Sequence, residues 1–312
     1  MKSVKSLQYF FFVLWLGFLV IGGQSGCKSS KNLAQTKDVK SLLWEIKVPG
    51  ASESSYVFGT IHLIAAEDYF LPDGTMTAFE KSEKVFFEID VEKMTDITSM
   101  MGIMNKLYMN DGLTLKDLLN DKDYEKVSQY FSKKGLPIFF LERMKPMFLT
   151  ALTYGDVGPE GLQNGDMKSY EFEFLDMAKN TKKQTGGLET IEFQIGVFDK
   201  IPYEKQAQML LDAISQSNEG SDELDMMVQM YKDQDIEKMS QMISDPSSDI
   251  ADYGDILVTE RNNNWIPILM EESKKQSSFF AVGAGHLGGK DGVINLLKKQ
   301  GVKVQPFVKN RK

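Results

Sequence analysis

Two histidines are all that the 312-residue chain contains, and both occupy the same local setting. His62 stands in "YVFGTIHL" and His286 in "FFAVGAGHLGG", each just past an apolar run and three residues after a glycine. Glu88 closes a third apolar run, "KVFFEID". Loops converge at the C-terminal ends of strands in open α/β sheets, so three such residues can reach one edge. Two imidazoles and one carboxylate suffice for a divalent metal with open positions for water and substrate. The same groups without a metal can do acid–base chemistry, because imidazole titrates near neutrality. Both readings stay open. The glycine before each histidine predicts a sharp exit from the strand, through backbone conformations that other residues resist.

The elements that must position these residues follow from pattern. "LLWEIKV" (42–48) and "SYVFGTIHL" read as two strands joined by the turn "PGASES". A helix over "DGTMTAFEKSE" leads to the strand "KVFFEID". The end of the chain alternates helix "DILVTERNNNWIPILMEES", strand "SSFFAVGAG", helix "DGVINLLKKQG" and strand "VKVQPFV". Between about 91 and 258 apolar residues recur three and four apart, as in amphipathic helices, with one short strand and turn in "KQTGGLETIEF". The expectation is an α/β fold: a mixed central sheet flanked by helices, with a large helical insertion. Ten methionines of that insertion (94, 100, 101, 104, 109, 226, 227, 230, 239 and 242) either fill helix–helix cores or form an adaptable binding groove.

Residues 1–26 have the layout of a secretory signal peptide: Lys2 and Lys5, an apolar run from Tyr9 to Ile21, then small residues. The only cysteine, Cys27, follows directly, as in bacterial lipoproteins whose cysteine is lipidated, although Gln24 replaces the usual leucine-like residue three before it. Residues 27–41 then form a lipidated cysteine and tether, and 42–312 the folded domain. An acylated Cys27 leaves no thiol for disulfides, nucleophilic catalysis or thiolate–metal sites. The net charge of −8 argues against nucleic acid as a partner. The chain contains no G-x-S-x-G, H-E-x-x-H, P-loop or C-x-x-C motif. "GAGHLGGKDG" lacks the dinucleotide spacing.

Five separated stretches resemble the TraB/GumN family in its order: "LLWEIKVPGASESSYVFGTIHL", "LPDGTMTAFEKSEKVFFEID", "GGLETIEFQ", "TERNNNW" and "FFAVGAGHLGGKDGVINLLKKQGVKV". That family includes the Tiki metalloproteases and is distantly similar to ChaN-like and erythromycin-esterase-like proteins. The resemblance implies an α/β domain with a site built from His62, Glu88 and His286. It further implies roles for the Arg261–Asn262 pair, and for Glu189 and Gln194 of the Leu-Glu…Gln segment. The aspartate that the family carries before the "GGLE" strand has no evident match in "GDMKSYEFEF".

The function these expectations describe is a metal-dependent hydrolase of the peptidase type, anchored in the bacterial cell envelope through Cys27 and acting on a peptide or protein. His62, His286 and Glu88 would hold a divalent ion such as Mn, Co or Zn. Glu189 or a neighbouring carboxylate would act as base and Arg261 would polarise the developing oxyanion, beside Asn262. The alternative is a surface lipoprotein that binds metal or haem without hydrolysis. The oligomeric state is not legible in the sequence.

Overall fold

The structure, a computed structural model, describes residues 39–92, 102–153, 164–217, 222–245 and 251–308. The expected signal peptide, Cys27 and most of the tether lie outside the described residues, as do Met94, Met100 and Met101.

Among the described residues six strands form one mixed sheet: β1 (Leu43–Lys47), β2 (Ser55–Thr60), β3 (Lys84–Ile89), β4 (Gln184–Glu189), β5 (Ser278–Gly283) and β6 (Lys303–Pro306). Their spatial order is β4-β3-β5-β2-β1-β6. The first four run parallel; β1 is antiparallel to both of its neighbours. Parallel strands covered on both faces are apolar without alternation, and "SYVFGT" and "SFFAVG" are buried at every position. The edge strand β6 alternates exposed and half-buried residues, as a strand with one open side does.

Helices α1 (Thr75–Lys81), α2 (Tyr170–Asn180), α3 (Ile236–Ile243), α4 (Glu260–Lys275) and α5 (Val293–Lys299) accompany the sheet. Phe58 and Phe279 on one face meet Phe79 of α1 and Phe174 of α2, with ring centroids 5.0–5.9 Å apart. On the other face Phe86 stacks on Phe280 at 5.2 Å, and Lys84 beside it reaches Glu272 of α4. Ser169 caps α2 by accepting the Phe172 N–H. A single π-helical turn, Asp255–Thr259, precedes α4. Such turns recur at functional sites, because they reset which side chains a helix points inward.

The stretch from about 91 to 258, expected as a helical insertion with one short strand and turn, is shared between two units of the chain. The chain divides into two units, and the helical one takes residues 93–167 and 190–225, whereas 168–189 and 226–258 belong with the sheet. The strand β4 was hard to place from sequence because "QTGGLE" has little β-branched or aromatic content. Its glycines are needed for space: a Cβ at Gly186 would lie 2.9 Å from the Phe86 ring. The helical unit contains Asp121–Lys133, Pro146–Ala151, Ile191–Phe198 and Tyr203–Ser217. Within it Phe148 packs edge-on against Phe198, and buried Gln206 bonds to the Phe198 and Ile201 carbonyls. The methionines divide between roles: Met109, Met227 and Met239 are buried, and Met104 and Met226 are exposed.

The glycines of the G-x-x-H settings also act differently from expectation. Gly283 has φ −52 and Gly59 sits inside β2, so neither takes the left-handed conformation. Gly59 is required because the turn after β5 lies against it: a Cβ there would come 2.9 Å from Leu287 Cδ1 and 3.0 Å from Ala284 Cβ. In "GAGHLGGKDG", a Cβ at Gly288 would meet the Ile236 carbonyl at 2.2 Å, so this run of glycines admits α3. Gly59→Val should destabilise the chain by about 1–3 kcal/mol through overpacking. Urea denaturation would show it as a lower midpoint at an unchanged slope.

Candidate functional site

The parallel register delivers four strand ends to one edge. Thr60 of β2 is level with Gly283 of β5, and Ile89 of β3 with Glu189 of β4. In the sheet β5 lies between β3 and β2; from β3 the chain moves outward to β4, whereas from β5 it moves the other way to β6, and such a reversal between neighbouring strands opens a crevice at the C-terminal edge. Into this edge α4 sends Arg261, Asn262 and Trp265.

Arg261 is the centre of the cluster, and its guanidinium is 3% exposed. Nη2 donates to Glu88 Oε2 at 2.5 Å and to Glu189 Oε1 at 2.7 Å. Nε donates to Glu189 Oε1 at 3.0 Å, and Nη1 to His286 Nε2 at 3.1 Å and the Leu257 carbonyl at 3.2 Å. All five N–H groups of the fork therefore have acceptors. The Leu257 contact comes from the π-helical turn, one turn back along the chain. Trp265 stands below, with the guanidinium 4.9 Å from its ring centroid and its indole N–H on Glu189 Oε2 at 3.0 Å.

Each histidine is anchored through Nδ1. Glu171 Oε1 accepts from His62 Nδ1 at 2.9 Å and from the Thr60 hydroxyl at 2.8 Å, and Ser169 donates to its other oxygen at 3.0 Å. His286 Nδ1 donates to Asn262 Oδ1 at 2.7 Å. Asn262 Nδ2 donates in turn to the His286 and Asp291 carbonyls, so one side chain holds both the imidazole and its loop. These acceptors put the Nδ1 proton on both rings and leave Nε2 as the nitrogen with the lone pair, as second-shell oxygens do for metal-bound histidines. Glu88 Oε1 accepts the Gly283 N–H at 2.8 Å and lies 3.9 Å from His286 Nε2.

The electrostatics separate like groups. Burial alone would raise the Glu88 carboxyl, but Arg261 and then the two imidazoles outweigh it and hold the group near about 2. Glu189 moves the opposite way, because burial and the neighbouring Glu88 charge exceed what its share of Arg261 returns. Burial, followed by the Arg261 charge, drives His286 down to about 3, so it is neutral at physiological pH. Burial also opposes charge on His62, yet the Glu171 charge and hydrogen bond overcome it and raise His62 above its ordinary value. Two histidines in matched settings thus acquire opposite proton affinities.

All six residues expected from sequence, His62, Glu88, Glu189, Arg261, Asn262 and His286, lie in the sheet unit at this edge. Gln194 is buried in the helical unit. Glu171 was missed. Its signal was available in "SYEFEF", where Ser169 begins a helix and places a carboxylate in its first turn.

Arg261→Met should strand two buried carboxylates and destabilise the chain by about 3–5 kcal/mol at neutral pH. The defect should shrink in acid, since protonating Glu88 and Glu189 removes the uncompensated charge. The unmutated chain should behave oppositely, losing the Glu88 contribution as pH falls from the ordinary 4.5 toward about 2. Urea midpoints across that range would decide between the two slopes. Glu171→Gln should lower the His62 pKa and leave His286 neutral, read from imidazole NMR signals in the presence of a chelator.

The TraB/PrgY/gumN family model matches residues 42–306. Metalloprotease TIKI2 of Danio rerio is 23% identical over 326 residues, covering 86% of this chain and 61% of the relative. Metalloprotease TIKI1 of Homo sapiens is 23% identical over 342 residues, covering 91% and 65%. The chain thus spans less than two thirds of the length of either relative. No solved structure matches it significantly. With the family model covering the sheet, the cluster and both histidine settings, the chain belongs to the TraB/PrgY/gumN family.

Proposed function

We propose that this chain is a hydrolase of peptide bonds in the cell envelope, held there by a lipid on Cys27, with its site at the strand ends around Arg261. The observation that carries the reading is the pair of Nδ1-anchored imidazoles set beside a fixed guanidinium–carboxylate cluster. The metalloprotease relatives support the peptidase class. The layout of residues 1–27 supports export and lipidation.

His62 is the proton acceptor. Its side chain is the most exposed of the set, 9% against 3–5% for Glu88, Glu189, Arg261 and His286, so water reaches it first. It takes a proton from the attacking water at Nε2, Glu171 stabilises the imidazolium through Nδ1–H, and the same Nε2–H then passes its proton to the departing amine, returning His62 to its neutral form. Glu189, whose two oxygens already accept from Arg261 and Trp265, is the weaker base. Arg261 sets the field and holds Glu88, Glu189 and His286 in place. With every N–H engaged, it polarises a substrate carbonyl only by releasing one of these partners.

A divalent metal, which the relatives' name carries, would draw on His62, His286 and Glu88. The donor set in this structure does not fit one. His286 Nε2 already accepts an N–H from Arg261, and both Glu88 oxygens are engaged. Among the described residues no group of three His, Cys, Asp or Glu side chains is arranged to hold a metal ion. The proton steps above accordingly use only the chain's own groups.

A peptide-library cleavage assay on the purified protein, with its metal content measured alongside, tests the proposal. His62→Ala should reduce cleavage by about 100-fold or more. Unchanged cleavage in both His62→Ala and His286→Ala would remove the site from consideration. Stoichiometric metal in the unmutated protein, lost in both variants, would overturn the arrangement of His286 and Glu88 around Arg261. Membrane retention after Cys27→Ala would refute the lipid anchor.

A further inference from the structure

The helical unit presents an aromatic tip unrelated to the candidate site. After the helix Asp121–Lys133 the chain turns through Gly135, at φ 73, and Pro137 into a short 3-10 turn, Ile138–Phe140. Phe139 is 76% exposed and Phe140 69%, and the two rings meet each other edge-on at 5.4 Å. The tip is built, not loose. Leu136 N–H returns to the Phe131 carbonyl at 2.9 Å, Phe140 N–H bonds Pro137 and Glu142 N–H bonds Ile138, while Leu141 is buried beneath. Water-exposed side chains of this size on an ordered turn need a physical reason, because burying either ring is favourable.

Charge names the partner. Residues 126–145 contain Lys126, Lys133, Lys134, Arg143 and Lys145 against one acid, Glu142, in a chain whose net charge is −8; Lys145 is buried and paired with Asp199 at 2.7 Å, which leaves the other four cations on the surface. Lys133 and Lys134 are exposed just before the turn and Arg143 is exposed just after it. Glu142 accepts from Tyr124 and faces Lys116. Paired aromatics between exposed cations match the headgroup region of an anionic bilayer, where rings sit at the interface and lysines meet lipid phosphates.

We infer that the Phe139–Phe140 turn inserts into an anionic membrane surface, giving the chain a second membrane contact besides any lipid on Cys27.

The test uses the full-length chain carrying Phe139→Trp, mixed with phosphatidylcholine vesicles with or without phosphatidylglycerol. Subtracting the emission of the parent chain isolates the new indole. Its emission should shift to the blue and be quenched by brominated acyl chains on the phosphatidylglycerol vesicles. Adding Lys133→Gln and Lys134→Gln should shift the inserted-to-exposed ratio about 30-fold toward water. Unshifted and unquenched emission on anionic vesicles would overturn the inference, and so would equal insertion into phosphatidylcholine alone. A blue shift that grows with protein concentration without vesicles would assign the tip to a second copy of the chain instead.

Discussion

A guanidinium buried with all five of its N–H groups engaged is the constraint around which the sheet edge is organised. Arg261 joins the end of β3 through Glu88, the end of β4 through Glu189, the loop after β5 through His286 and the π-helical turn through Leu257. A buried cation of this kind must be matched by charge and by acceptors, or its desolvation unfolds the region. Its neighbours are therefore not independent choices. Trp265, one helical turn on, covers the cluster and bonds Glu189, while Asn262 ties down the His286 loop.

The same cation explains why two histidines in similar surroundings diverge. His286 is buried, receives an N–H from Arg261 and has a neutral amide oxygen behind it, so burial and the adjacent guanidinium outweigh the pull of Glu88 at 3.9 Å and keep the ring neutral. His62 has a carboxylate behind it, and that carboxylate is fixed by Thr60, Ser169 and the first turn of α2. Both rings are buried, so the carboxylate behind His62 and the guanidinium against His286 decide which imidazole can carry a proton. The sheet supplies that asymmetry, because β2 and β5 are adjacent and parallel and send their loops to the same edge.

Much of this was legible beforehand, for identifiable reasons. Buried parallel strands announce themselves by unbroken apolar runs, which located "SYVFGT", "KVFFEI" and "SFFAVG" and hence His62, Glu88 and His286 at their ends. Arg261, Asn262 and Glu189 required the family resemblance, since a charged residue within a helix or at a strand end has no signature of its own. Three features were hidden. Glu171 looks like any acid in a helix's first turn until Thr60 and His62 are seen to converge on it. The strand β4, two of whose six residues are glycine, carries too little side-chain pattern to be assigned to the main sheet. The glycines before the histidines suggested unusual dihedrals, whereas Gly59 relieves a close approach between segments more than 200 residues apart.

The central claim is that Arg261 is locked by its acceptors, and the side-chain NMR of that residue tests it most directly. The chain has three arginines, so comparison with Arg261→Lys identifies the signals. The account predicts separate, slowly exchanging resonances for the Arg261 Nε and Nη protons at neutral pH, because rotation about the guanidinium bonds would break contacts to Glu88, Glu189 and His286. A single averaged Nη signal exchanging as fast as that of an exposed arginine would contradict it.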